Sequence, residues 1–198
     1  VMNEHYGSTF PAQYDFMKNR LFPSYYLSES PWEFGIRIVQ NFGVITAPGI
    51  GYSSLALPLK PVKLINPSGD SLSSYTPDYI GVDALRSHRY SSWKLIIPVL
   101  LEYKIPSGRK SAYIAAGVTG GLRFAGKITY TYKKDGYRYK EEIRGPWYAS
   151  PWDLSAHIRA GSGHFGFFAD IALTPLFKKE AAPEFYPVTG GISINLNR

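Results

Sequence analysis

The chain has no cysteine, which removes disulfide staples and thiolate metal sites and leaves the redox character of its compartment open. It also has no long apolar run: the longest, Leu95 to Leu101 (LIIPVLL), falls far short of the roughly 20 residues of a membrane-crossing helix and contains Pro98. Charged residues are only 19% of the sequence, against 16% aromatics, with 16 tyrosines and 19 glycines. The Ala/Leu/Glu/Lys composition of helical domains is missing, which favours a strand-rich chain. The four histidines, His5, His88, His157 and His164, show no ligand spacing, so neither a metal nor another cofactor is expected. Val1 is not an initiator methionine and no basic-then-apolar leader follows it, so a processed or trimmed product is expected.

What is present is period two. A length of 198 residues suits one well-buried domain. In WEFGIRIVQNFG, Phe34, Ile36, Ile38 and Phe42 alternate with Glu33, Arg37 and Asn41; in WKLIIPVLLEYK, Trp93, Leu95, Ile97, Val99, Leu101 and Tyr103 alternate with a mixed set that includes Glu102. From Ala112 to Lys133 an apolar set (Ile114, Val118, Leu122, Phe124, Ile128, Tyr130, Tyr132) faces a polar one (Thr119, Arg123, Lys127, Thr129, Thr131, Lys133). Trp152, Leu154, Ala156 and Ile158 alternate with Asp153, Ser155, His157 and Arg159, and Phe165, Phe167, Ile171 and Leu173 with Asp170 and Thr174. Strands are predicted near 32–44, 50–59, 91–104, 112–133, 151–161, 164–176 and 187–197, with FPSYYLSE around Tyr25 to Leu27 as the first of eight. Residues 1–31 read as an irregular arm containing that first strand, and 32–198 as the barrel. Short connections (TAPG at Pro48, PSGRK at Gly108, GSG at Gly161) alternate with long ones, the rim asymmetry of outer-membrane barrels.

Periodicity does not orient a strand, so the residue types must. Glu33, Arg37, Glu102, Arg123, Asp153, His157, Arg159 and Asp170 put both signs of charge on the polar faces, where a narrow lumen would let them pair. Aromatics sit at the ends of apolar stretches: Trp93 with Tyr103, Tyr130 with Tyr132, then Trp152 and Tyr186. Gly35, Gly43, Gly117, Gly121, Gly161, Gly166 and Gly191 leave room on the polar side for long side chains. The expectation is an all-β, antiparallel, up-and-down transmembrane barrel with apolar residues turned to lipid.

The segments IPVLLEY, AYIAAGVTGGLRF and DIALTPLFKKEAAPEFYPVTGGISINL resemble the C-terminal half of the small outer-membrane β-barrel proteins of the Bacteroidetes, the PorT-like family, over about Trp93 to Leu196. The resemblance implies a bacterial outer-membrane location and an eight-stranded barrel with periplasmic termini, and most members of that family have no assigned activity.

Other motifs carry less. GSGHFG at Gly161 formally matches a dinucleotide fingerprint, which requires a following helix that the alternation excludes. Ser155, His157 and Asp170 compose a nominal hydrolytic set, with Ser155 expected opposite Asp170, but they read better as lumen polar groups than as a lipid-modifying enzyme's site. TYKKDGYRYK interleaves tyrosines with Lys133, Lys134, Arg138 and Lys140, placing four cations where an exposed hairpin meets lipopolysaccharide phosphates. The expected protein is a non-enzymatic structural or accessory subunit of an envelope secretion or uptake complex, in contact with outer-membrane lipid and lipopolysaccharide and with no nucleic-acid partner. The alternative is a soluble β-barrel that binds an anionic ligand or nucleic acid through the Tyr/Lys hairpin; the net charge of +7 is compatible with both.

Overall fold

A computed structural model of the chain describes residues 20–57, 63–65, 73–75, 85–106, 112–145, 149–178 and 184–194. All regular structure among them is β. The strands are β1 (Arg20–Glu29), β2 (Phe34–Val39), β3 (Phe42–Thr46), β4 (Gly49–Ala56), β5 (Lys63–Ile65), β6 (Ser73–Tyr75), β7 (Leu85–Ile105), β8 (Ala112–Lys134), β9 (Tyr137–Arg144), β10 (Trp152–Ser162), β11 (Phe165–Ala172) and β12 (Val188–Ile194). Ten of them form one antiparallel sheet, and β5 and β6 pair separately in the connection between β4 and β7.

The hydrogen-bonded path is β1-β4-β7-β8-β10-β11-β12, seven staves of an up-and-down barrel. The remaining three strands of the sheet extend these staves. β2 prolongs β1 and β3 prolongs β4, since Glu29 pairs with Ile50 and Phe34 with Thr46. Likewise β9 and β10 share β8 as partner, over Lys127–Lys134 and Ala112–Leu122 respectively. The sheet curls until β1 and β11 meet across the interior, with Tyr26 and Phe168 ring centroids 6.5 Å apart and edge-on. β1 and β12, the ends of the path, run in the same direction, and among the described residues no ladder joins them.

Three sequence expectations are corrected here. The strand expected over 32–44 is a hairpin, β2 and β3, turning at Gln40–Asn41, so the count on the path is seven and not eight. The TAPG segment is not a rim turn but a kink within one stave, because Thr46 still pairs with Val99 and Gly49 with Ile96 of the same neighbour. Pro98 lies opposite this kink. Even-numbered residues of β7 address that side, as the Lys104 amide bonding to the Asn41 carbonyl shows, so the amide proton that Pro98 lacks falls where the neighbouring ladder is interrupted. β1 is an integral stave, and the remainder of the expected N-terminal arm, residues 1–19, lies outside the described residues.

The third correction concerns facing. Along β7 the odd residues Trp93 to Tyr103 point outward and are about half exposed, as are Ile114, Val118, Phe124, Ile158, Ile171 and Ile192, with Phe167 at 71%. At one point the register slips: Trp93 pairs with Ala125 but Lys94 with Arg123, leaving Phe124 as an extra residue of β8. Such a bulge reverses the facing of everything beyond it. Ile128 and Tyr130, expected outside with the apolar set, are therefore inside at 1% and 0% exposure. They join Leu55, Leu57, Leu85, Tyr90, Leu176, Phe177 and Phe185 in an apolar plug at the long-loop end, with Tyr132 packed against it. Tyr130 and Tyr132 thus belong to the plug and not to an outer aromatic ring.

Below the bulge the interior alternates large and small residues around each ring, as a narrow barrel requires. One ring runs Gly43, Glu102, Ala115, Arg159, Phe168, Gly191; the ring beneath it carries Tyr113 beside Gly161 and Gly166. A Cβ on Gly166 would come within 2.5 Å of the Tyr113 hydroxyl, so that ring space is already filled.

The plug and the outer face make opposite demands on an isoleucine. Ile128→Ala is expected to lower stability by about 2–5 kcal/mol through the cavity it leaves, and the same truncation at the exposed Ile97 by much less, measured by denaturant unfolding in micelles; equal losses would contradict the assigned facing.

Candidate functional site

Two constellations of charge stand out, one within the lumen and one on the outer face of the β8–β9 hairpin. In the lumen, Arg159 of β10 donates from Nη2 to Glu33 Oε2 at 2.8 Å and to Glu102 Oε2 at 3.4 Å, and its guanidinium lies 5.5 Å from the Tyr113 ring centroid. Glu102 is only 2% exposed, and Lys104 Nζ lies 3.8 Å from its Oε1, so Arg159 and Lys104 together offset a charge deep in the barrel. Higher up, Asp153 accepts from Lys94 Nζ at 2.5 Å and lies 3.7 Å from Arg123 Nη2. Arg123 also donates to the Ser150 carbonyl, and Lys94 sits 5.3 Å over the Tyr26 ring. Between these clusters His157 Nδ1 and Asp170 Oδ1 are 2.7 Å apart, the imidazole stacked on Phe168.

Seven of the eight residues anticipated for a lumen network, namely Glu33, Glu102, Arg123, Asp153, His157, Arg159 and Asp170, are thus in ion-pairing or hydrogen-bonding distance of one another or of Lys94. Arg37 makes no such ion pair among the described residues: it lies on β2, exposed, lining a depression with Gln40, Asn41, Lys104 and Glu102. Lys94, Tyr113, Tyr26 and Phe168 are members that residue-type reasoning passed over. Lys94 shares the even face of β7 with Glu102, so strand parity alone would have found it. Four acids (Glu33, Glu102, Asp153, Asp170) meet four permanent cations (Lys94, Lys104, Arg123, Arg159) and one histidine, which makes the cluster nearly self-neutralising.

Ser155, His157 and Asp170 are not brought together in the order expected of a hydrolytic set. Ser155 pairs with Ala172 and His157 with Asp170, so the hydroxyl is not opposite the carboxylate as expected. The Ser155 hydroxyl, 5% exposed, donates instead to the Thr119 carbonyl at 3.5 Å. GSGHFG is a two-residue hairpin turn at Gly163–His164, with Gly163 at a φ of 58°, and a strand follows it, not a helix. Among the described residues no three His, Asp or Glu side chains converge as metal ligands.

On the outer face, Tyr25, Tyr52 and Trp93 form a contiguous aromatic group, with centroids 6.0 and 4.8 Å apart, at the upper end of the apolar band. Above it the exterior turns polar: Ser54, Ser91, Arg89 and Lys127 share that face, with the Arg89 guanidinium 5.0 Å over the Tyr25 ring and Arg89 Nε donating to Ser54. The β8–β9 hairpin continues it through an Asp135–Gly136 turn whose positive φ values, 51° and 82°, suit a two-residue connection. Lys133 faces Arg138, and Thr131 faces Lys140, on the outer side; Lys134 pairs with Tyr137 on the opposite side, apart from the other three anticipated cations. Glu142 lies 2.6 Å from Lys140 and 3.3 Å from Lys127, and hydrogen bonds from Lys140 and then Lys127 hold its carboxyl below the usual range.

Arg159→Gln is expected to destabilise the barrel by about 3–5 kcal/mol by removing the cation that Glu33 and Glu102 share, and adding Glu102→Gln to restore part of that loss, read from urea midpoints. Asp170→Asn is expected to lower the unfolding temperature; unchanged stability together with loss of a lipase-type activity would instead indicate a hydrolytic role. No family model, curated protein or solved structure matches the chain.

Proposed function

We propose that the protein is a small outer-membrane β-barrel with a filled, polar lumen that serves as a structural or accessory subunit of an envelope complex. The observation that carries this reading is the inversion of the usual order of burial. Side chains such as Ile36, Ile97, Phe167, Ile192 and Ile194 form a continuous exposed surface, while Glu102, Arg123 and Asp153 are enclosed. Water does not stabilise such an exterior, and an apolar surface of this extent marks contact with lipid or another apolar partner. The outer band on β7 runs from Trp93 to Tyr103, about ten residues, which is the length of a tilted strand across a hydrocarbon layer, with amphipathic rings at both ends.

A subunit role is favoured over conduction by what fills the barrel. The ion-pair rings occupy the middle, and the plug around Tyr90, Ile128 and Tyr130 occupies the long-loop end. The PorT-like resemblance of the C-terminal half points to the same envelope location.

The test is behaviour in detergent. The folded chain is expected to require detergent, to partition with carbonate-washed membranes, and to migrate differently in gels before and after boiling. Ile97→Arg, in the middle of the band, is expected to destabilise the barrel in liposomes by about 2–4 kcal/mol. Recovery of wild type as a detergent-free monomer would overturn the proposal.

A further inference from the structure

We propose that the outer face of the β8–β9 hairpin, together with the adjoining part of β7, binds the phosphorylated headgroups of the glycolipid leaflet around the barrel. This rests on the membrane reading and deepens it. Six cations share that face: Arg89, Lys127, Lys133, Arg138, Lys140 and Arg144. The acid among them is Glu142, already engaged by Lys127 and Lys140. Among the described residues Lys133, Arg138 and Arg144 have no carboxylate partner, so the face has cations to offer an external anion.

Position makes the ligand a lipid and not a free anion. Lys127 pairs with Ser91, two residues from Trp93, so the cations begin one step above the Tyr25/Tyr52/Trp93 group. That is the level at which phosphates stand above acyl chains when such rings mark the interface. The face is also held in orientation, because Ile143 and Tyr132 on its reverse pack against the apolar plug. The arginines supply forked donors suited to phosphate oxygens. The lumen charges nearly cancel among themselves, so much of the chain's excess of seven positive charges is carried elsewhere, and this face carries a large part of it.

Geometry disfavours the rival reading of the Tyr/Lys segment. Single-stranded nucleic acid needs stacking rings and cations on one face. Here Tyr139 stacks on Tyr132, centroids 5.6 Å apart, on the side opposite Lys133, Arg138 and Lys140.

The experiment uses the full chain in phosphatidylcholine nanodiscs doped with bis-phosphorylated lipid A or its dephosphorylated form, with bound lipid counted by native mass spectrometry. Wild type is expected to prefer the phosphorylated lipid about tenfold or more, in a salt-dependent manner. The combined variant Lys133→Gln, Arg138→Gln, Lys140→Gln, Arg144→Gln is expected to lose that preference while still shifting on boiling, and Lys134→Gln to keep it. Equal binding of both lipids by wild type, an undiminished preference in the combined variant, or tighter variant-sensitive binding of a single-stranded oligonucleotide would each overturn the proposal. Failure of wild type to enter the nanodisc overturns the membrane reading as well, and is seen before any lipids are compared.

Discussion

A β-strand sends successive side chains to opposite sides, and a narrow barrel has only one side where water is scarce and space is limited. In this chain the ionic residues fall on that side. Each charge taken from water must meet its opposite with good geometry, or the closed form loses several kcal/mol per ion. Arg159 between Glu33 and Glu102 and Asp153 between Lys94 and Arg123 satisfy that demand, and Asp170 is hydrogen-bonded to His157. These pairs join elements far apart in sequence, Glu33 lying 126 residues from Arg159, so they also hold the curl of the sheet. The glycines follow from the same crowding: Gly161 and Gly166 leave room for the Tyr113 side chain and Gly191 for that of Phe168, while Gly43 and Gly117 allow close approach of neighbouring backbone.

The bulge at Phe124 divides the molecule into two zones with opposite chemistry. Below it, odd residues of β8 face an ionic interior and even ones form an apolar exterior. Above it, the even residues Ile128 and Tyr130 close the barrel with an apolar plug, and the odd residues turn to the other face, where Thr129 and Thr131 are buried and Lys127 and Lys133 are cationic. One inserted residue thus fixes where the apolar band stops and where the cationic face starts. The seal at one rim and the proposed headgroup surface share this origin.

Much of the architecture is legible in the residues. Alternation with no helical period marks most of the main staves, less clearly β1 and β4, and the Asp135–Gly136 pair marks its hairpin. The pairing of charges is legible only as a class. Both signs on polar faces call for partners, yet which acid meets which base depends on register: residue types alone set Ser155 opposite Asp170, where the ladder places His157. Arg37 illustrates the limit from the other side. Its parity matches that of Glu33, but β2 belongs to a hairpin near the rim and its side chain is exposed.

By itself the sequence determined that the chain would form long amphipathic strands, that their apolar and ionic residues would part to opposite sides, and that no disulfide would contribute. These are local consequences of a two-residue period and of composition. Tertiary structure alone decided which side is the interior, how many staves the path holds, and where the facing reverses. Those depend on hydrogen-bond register between strands: a slip of one residue at Phe124 leaves the local pattern intact while changing what each side chain beyond it meets.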